Sequence, residues 1–202
     1  MINYAEKKRR APVLPNLSNY NLNAGEMNPA IFEMMVTTMK GEGLPLTVWE
    51  PFAGTSHPES SPVSKVQDFA QANGVILMSY GLAPKDNRIQ VKDSTRNGPE
   101  SLIGGMLFHP PYFGSSSFSQ HPSELSGSLR VDYFNKLRKT LKLAAGAMVN
   151  NGLVCAVCRD YRVNGERIRL DLDYIELFRS ESFTLIDVWS SEPDVVLIFK
   201  AE

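Results

Sequence analysis

The stretch Gly105-Met-Leu-Phe108 followed by His109-Pro110-Pro111-Tyr112 decides how this chain is read. Its first four residues are apolar and suit a buried strand. Two consecutive prolines cannot donate to a sheet ladder, so the chain must turn outward at His109. A buried strand that delivers an imidazole and a phenol into an outward turn is a good place to hold a ligand, and the neighbouring segments say what kind of sheet surrounds it.

Towards the N-terminus, Arg88-Ile-Gln-Val-Lys92 alternates as a short strand ending at Asp93-Ser94, and Gly74-Val-Ile-Leu-Met-Ser-Tyr80 has the length and composition of a buried strand. A helix is predicted over 62–72. Before it, Leu46-Thr-Val-Trp-Glu50 predicts a strand that runs into the turn-forming segment Pro51-Phe-Ala-Gly-Thr-Ser56. Further upstream Asn28 can cap a helix with Pro29 at its first position, and Ile31, Phe32, Met35, Val36 and Met39 recur at helical spacing until Gly41.

Towards the C-terminus, residues 113–128 are crowded with Ser, Gly and Pro and predict a surface loop able to act as a lid. A long helix over 131–149 follows, then a strand over 152–159, a hairpin-like turn at Asn164-Gly165 and a helix near 171–180. Strands at 184–189 and 194–200, joined by the short turn Ser190-Ser-Glu-Pro-Asp194, end the chain. Seven strands alternating with helices and closing on two adjacent strands predict an α/β sandwich around a mostly parallel sheet with one antiparallel member. Ligands of such sheets bind beyond the carboxyl ends of the strands, where 51–56 and 109–112 both fall. No internal repeat is present.

At 202 residues and 43% hydrophobic content, the chain is long enough for a substantial core and most simply forms one domain, taken as 28–202, preceded by a Pro- and Asn-rich arm over 1–27. Its 21 basic and 22 acidic residues leave a net charge of -1, so no global positive field advertises a polyanionic partner. The one basic run, Lys7-Lys8-Arg9-Arg10, reads as a solvated terminus more readily than as a phosphate-binding arm. No apolar run approaches the roughly 20 residues that span a bilayer, and no signal-peptide core is visible, so a cytoplasmic protein without membrane contact is expected. Cys155 and Cys158 form a C-x-x-C inside the predicted strand 152–159. Residues three apart on a strand point to opposite faces, so buried structural thiols are expected and a metal site is not.

On these residues the chain resembles the S-adenosylmethionine-dependent amino-methyltransferases of DNA, the class that acts on adenine N6 or cytosine N4. Pro51-Phe-Ala-Gly-Thr55 is similar to the first cofactor motif of that family, commonly Asp-Pro-Phe-x-Gly-x-Gly. His109-Pro-Pro-Tyr112 is similar to its catalytic motif, usually Asp, Asn or Ser before Pro-Pro-Tyr or Pro-Pro-Trp. Asn28-Pro29 sits where the cofactor-covering motif lies in members that place it first, and Asn151-Gly152, Arg159-Asp160-Tyr-Arg162 and the last strands resemble the tail.

The resemblance implies a Rossmann-like class I methyltransferase fold, a seven-stranded mostly parallel sheet with one antiparallel strand near the C-terminus. It implies S-adenosylmethionine as cofactor, contacted by Asn28, Pro29, Glu50, Pro51, Phe52, Ala53, Gly54, Thr55, Asp93 and Ser94. It implies His109, Pro110, Pro111 and Tyr112 as the catalytic residues, acting on an amino group of a flipped base with no metal. An exocyclic amino nitrogen is a poor nucleophile while its lone pair is delocalised into the ring; acceptors that hold its hydrogens steer it towards tetrahedral geometry, and an aromatic ring stacks on the extruded base.

Three departures shape the expectation. His109 stands where the family presents an oxygen, and only a neutral imidazole can accept, so activity should fall as it protonates near the ordinary imidazole pKa of about 6.5. Ser56 replaces the second glycine of the cofactor motif. The second strand ends in Met78-Ser-Tyr-Gly-Leu82 without the acid that holds the ribose, leaving Ser79 or Tyr80 as substitutes. No separate target-recognition domain is present, so DNA specificity would need the loop 113–130, the arm, a homodimer or a separate specificity subunit. An RNA substrate and a noncatalytic partner subunit are the competing readings.

Overall fold

The computed structural model describes residues 3–14, 28–54, 62–84, 86–113, 125–163, 165–191 and 194–202. In chain order the elements are α1 (Tyr4–Arg9), α2 (Ala30–Gly41), β1 (Thr47–Glu50), α3 (Pro62–Ala72), β2 (Ile76–Gly81), β3 (Gln90–Val91) and β4 (Ile103–Phe108). They continue as α4 (Arg130–Ala147), β5 (Met148–Cys158), β6 (Tyr161–Val163), β7 (Glu166–Ile168), α5 (Leu170–Arg179), β8 (Phe183–Ser191) and β9 (Asp194–Ala201).

Seven strands form one sheet in the order β3-β2-β1-β4-β5-β9-β8, in which β9 alone runs against its neighbours. The predicted α/β class and its single antiparallel strand are both present. Strand order reverses between β1 and β4, the place where the loops leaving two adjacent parallel strands splay apart and open a crevice. Trp49 lies opposite Met106 in that pair, so the turns after Glu50 and after Phe108 leave the sheet at the same edge. Val195 pairs with Cys158, which brings the start of β9 to that edge as well.

Strand periodicity explains the two-sided core. Along β5, Val154, Ala156 and Cys158 join the cluster under α4 and α5, while Leu153, Cys155 and Val157 join the cluster under α2 and α3. The two cysteines therefore point to opposite faces, and burial raises both thiol pKa values. On the first face Phe178 stacks on Phe199 at 4.3 Å and meets Phe108 edge-on at 5.1 Å, so an aromatic cluster clamps the strand that ends at His109.

Two parts of the sequence reading change. The N-terminal segment contains a capped helix, with Asn3 Oδ1 accepting from Glu6 N at 3.2 Å, where no regular structure was expected. Lys7 and Lys8 are not simply solvated: Lys7 donates to the Ile186 carbonyl at 2.7 Å and pairs with Asp187, and Lys8 pairs with Asp171 at 2.6 Å. The turn around Gly165 also joins a small separate hairpin, β6 with β7, beyond the seven strands expected.

Candidate functional site

The turn after β1 is built from small and apolar residues that let backbone come close to whatever fills the crevice. Pro51 and Ala53 are buried, and Ala53 N donates to the Tyr80 carbonyl at 2.9 Å, tying the turn to β2. Gly54 is exposed and holds φ +74°, a conformation that costs other L-residues roughly 1–2 kcal/mol. Phe52 meets Phe108 edge-on at 5.4 Å, which couples this turn to the strand that presents His109. Thr55, Ser56 and His57-Pro58 lie outside the described residues.

Glu50 closes β1 beneath the turn and is fully buried. Ser79 Oγ donates to Glu50 Oε2 at 2.6 Å, and Gln67 Nε2 on α3 donates to Ser79 Oγ at 2.6 Å. Burial drives the Glu50 carboxyl up to about 7, with the Ser79 hydrogen bond opposing. One carboxyl oxygen is thus engaged by the fold.

The substitutes suggested for the absent ribose acid are both engaged elsewhere. Ser79 belongs to the Glu50 chain, and the Tyr80 hydroxyl donates to the Gly98 carbonyl at 3.0 Å. The nearest acid in the following loop, Asp86, is buried and held by Arg88, whose Nη2 lies 2.7 Å from Oδ2; the Arg88 hydrogen bonds hold the Asp86 pKa low. Asp93 closes its own turn, with Oδ1 accepting from Thr95 N at 2.9 Å and Thr95 Oγ1 at 2.7 Å. Ser94 is buried, and its carbonyl accepts from Thr140 Oγ1 at 3.2 Å. The ribose end of the expected cofactor site therefore has backbone on offer and no aligned carboxylate among the described residues.

The turn after β4 carries the densest polar cluster at this edge. Tyr112 donates its hydroxyl to Asp194 Oδ1 at 3.0 Å, and its oxygen stands 3.4 Å from His109 Nε2. Arg159, at the end of β5, forks onto the same carboxylate, with Nε 2.8 Å from Oδ1 and Nη2 3.2 Å from Oδ2. Its guanidinium lies 5.9 Å from the Tyr112 ring centroid. Tyr161 stacks on Tyr112 at 5.7 Å with the planes 25° apart, and its hydroxyl is hydrogen-bonded to the Phe113 carbonyl. The ring expected to await a base is thus already stacked on another tyrosine. Burial pushes the His109 imidazole down to about 4, with Asp194 opposing, so it is neutral near pH 7. Burial, then the charge of Asp194, raises the Tyr112 hydroxyl far above the ordinary phenol.

Asn28 and Pro29 introduce α2. Asn28 Oδ1 accepts from Ala30 N at 3.0 Å, and its Nδ2 donates to Ser191 Oγ at 3.3 Å, which ties the helix start to the last residue of β8, opposite Asp194. Pro110 is buried and Pro111 is partly exposed. The structure thus gathers His109, Tyr112, Asp194, Arg159 and Tyr161 into one network, and Pro51–Gly54 with β2 into another, joined through Phe52 and Phe108. Asp194 carried no functional signal in the sequence because an Asp after Pro in a short connection reads as a turn former. Arg159 was visible only as part of a tail motif without a role.

Among the described residues no cluster of His, Cys, Asp and Glu could hold a metal, and no helix is long and apolar enough to cross a membrane. An open concavity of about 470 Å³ lies on the outer face of α4, lined among others by Ser128, Asp132, Lys136, Lys139 and Lys142. It is formed by the side of α4 turned from the sheet, and none of the residues of the two networks lines it.

No family model matches the sequence, and no curated protein is similar to it. Solved structures are similar in fold. The 1,6-didemethyltoxoflavin-N1-methyltransferase of Burkholderia thailandensis, solved with 1,6-didemethyltoxoflavin and S-adenosylhomocysteine bound, superposes with a TM-score of 0.56 over 86% of this chain and 79% of its own, at 12% identity. TrmN from Thermus thermophilus gives a TM-score of 0.50 over 86% of this chain at 14% identity; this chain spans 49% of TrmN. With the strand order above, these likenesses show a class I methyltransferase fold.

Proposed function

We propose that this chain transfers a methyl group from S-adenosylmethionine to the exocyclic amino group of adenine or cytosine in DNA, by direct attack from a base turned out of its helix. The observation that carries the reading is the placement of His109-Pro-Pro-Tyr112 and Pro51–Gly54 side by side at the carboxyl edge, across the point where the strand order reverses.

The residues present fit the cofactor at its methionine end and less well at its ribose. The exposed Gly54 turn with positive φ leaves room for close backbone approach, and among the described residues nothing within 4 Å fills the space a side chain would take. When bound, S-adenosylmethionine supplies a methyl carbon activated by the adjacent sulfonium. The Pro51–Gly54 turn would hold it against β1. The neutral His109 ring and the Pro110 carbonyl accept the two amino hydrogens, drawing the nitrogen lone pair out of the ring. A nitrogen–carbon bond forms as the sulfur–carbon bond breaks. The amino proton made acidic by methylation would leave through the unprotonated ring nitrogen of His109, which burial makes a weaker base than a free imidazole. No metal is required.

Calorimetric titration with S-adenosylmethionine, followed by radiolabelled methyl transfer to duplex DNA, single-stranded DNA and RNA with nucleoside analysis, tests the reading. Methylated adenine or cytosine from DNA is expected, lost in His109→Ala. Transfer to RNA alone moves the substrate class. Absence of cofactor binding at millimolar concentration overturns the enzyme reading in favour of a noncatalytic partner subunit.

A further inference from the structure

The geometry points to Asp194 as a positioning residue that, through the Tyr112 hydroxyl, fixes His109 as its Nε2–H tautomer and presents Nδ1 as the acceptor for the target amino group. The inference rests on the methyl-transfer reading for its purpose and on hydrogen-bond accounting for its substance.

The accounting starts at the carboxylate. Asp194 is buried, and both of its oxygens face the Arg159 guanidinium, which has only donors to offer and cannot give up its charge. The carboxylate so paired has no proton to give. The contact between Tyr112 and Asp194 Oδ1 at 3.0 Å must therefore be made by the tyrosine proton. A phenol carries one such proton, and with that proton directed at Asp194 the oxygen can only accept from the other side.

His109 Nε2 lies on that other side at 3.4 Å. A bare Nε2 would face the lone pairs of the phenol oxygen, acceptor against acceptor in a partly dry site, so the imidazole places its proton on Nε2. A neutral imidazole has one proton; Nδ1 is left bare. The hydrogen bond made by one ring nitrogen fixes the state of the other. The reversed tautomer would put an N–H against the amino group, donor against donor, and defeat the acceptance that replaces the family's oxygen.

This account also explains why a histidine can stand at the first position of the motif. Asp and Asn offer an oxygen acceptor without any choice of tautomer, whereas a histidine works only if something outside the motif makes the choice. Asp194 and Arg159, from β9 and the end of β5, are that outside support, and the edge-on packing of His109 against Tyr112 at 5.7 Å and 70° keeps the ring from swinging away.

The test is ¹⁵N-labelled full-length protein near pH 7, observed by long-range proton–nitrogen correlation across the three histidines, His57, His109 and His121. The His109 signals are assigned by their loss in His109→Gln. The expected wild-type pattern is the Nε2–H tautomer. In Tyr112→Phe, which keeps the ring and removes the relay, and in Asp194→Asn, the His109 nitrogens should shift towards a mixture of tautomers while the backbone amide spectrum of the sheet is retained.

An Nδ1–H tautomer in the wild type, or an unchanged pattern in both variants, overturns the inference. In methyl transfer, Asp194→Asn should lower kcat on the order of a hundredfold, as expected when a wrong tautomer is populated, with KM for the cofactor little changed. A loss confined to KM with kcat intact overturns the positioning role. The expected tautomer in a protein that methylates nothing supports this inference and counts against the proposed function, so the two can fail separately.

Discussion

A Cβ on Gly81 would stand 3.0 Å from the carbonyl oxygen of Gly54, so the end of β2 and the turn after β1 are in backbone contact at the floor of the crevice. Only small residues allow that approach, and it explains why β2 ends without a side chain aimed over the site. Gly54→Ala adds the cost of positive φ, about 1–2 kcal/mol locally, with open space for the methyl itself. Gly81→Ala has ordinary backbone but must push the Gly54 carbonyl by a few tenths of an ångström. Both variants are expected to fold and to bind S-adenosylmethionine roughly tenfold more weakly, equivalent to about 1.4 kcal/mol. Calorimetry with unchanged affinity in both would remove the Pro51–Gly54 turn from the cofactor site.

Much of this arrangement was legible in the sequence because it depends on period and punctuation. The apolar run Gly152–Cys158 announced a strand buried on both faces, and the double proline after His109 announced the exit of the chain from the sheet at the end of β4; both hold. What the sequence hid depends on three-dimensional pairing. Asp194 and Tyr112 are 82 residues apart, and no local pattern couples them. Helix α1 is short, and its position is fixed by tertiary ion pairs with Asp171 and Asp187, so periodicity could not reveal it. The β6–β7 strands are three residues each, too short to establish an alternation.

Glu50 should make the fold less stable as pH rises through neutrality. Its folded pKa of about 7 exceeds the ordinary carboxylate value, so the folded chain binds more protons than the unfolded chain between about 4.5 and 7. That contribution is complete below the unfolded pKa and is lost as pH climbs through the folded one. Glu50→Gln keeps an acceptor for Ser79 and removes the charge. It is expected to match the wild type at pH 5 and to exceed it by about 2–3 kcal/mol at pH 8, the scale of a shift of that size at 1.36 kcal/mol per unit. Denaturant unfolding at the two pH values measures it, and equal stabilities at pH 8 would refute the buried carboxyl.

The pH dependence of methyl transfer should follow His109 in its folded setting. The free imidazole value of about 6.5 would place a fall in rate just below neutrality. Burial moves the group down to about 4, so the neutral acceptor persists, and on the acid side the His109 contribution should stay level to about pH 5. The stability linkage has the opposite sense to that of Glu50: the unfolded chain binds the extra proton between about 4 and 6.5, so this contribution is lost as pH falls through that window. Initial rates from pH 5 to 8 at saturating cofactor are the measurement. A steep fall centred at 6.5 would mean an open site, with His109 in contact with bulk water.

Asp171 anchors the N-terminal helix. Its side chain is almost wholly buried and gathers Lys8 Nζ at 2.6 Å, Arg169 Nε at 3.1 Å and the Tyr4 hydroxyl. Burial pushes its carboxyl up, but the hydrogen bonds from Arg169, Lys8 and Tyr4 outweigh that and hold it well below the usual carboxylate range. Its contribution is therefore present at neutral pH and lost only in acid. Removing the carboxylate in Asp171→Ala leaves Arg169 and Lys8 with Asp160 as an acidic partner, at 3.1 and 3.9 Å, and both keep about a third of their side-chain surface in water and can rehydrate. The cost should accordingly fall near 2 kcal/mol, below the roughly 3–5 typical of a broken, fully buried pair. The effect should also be local. With Tyr4 unbonded and Lys8 left with its 3.9 Å contact to Asp160, α1 keeps Lys7 on β8 and the backbone pairing of Pro12 and Leu14 with Ser190 just beyond it, so trypsin should cut after Lys7, Lys8 or Arg9 well before the sheet unfolds. Tryptic cleavage of the variant at the wild-type rate would show that α1 is held by apolar packing and that Asp171 serves only to start α5.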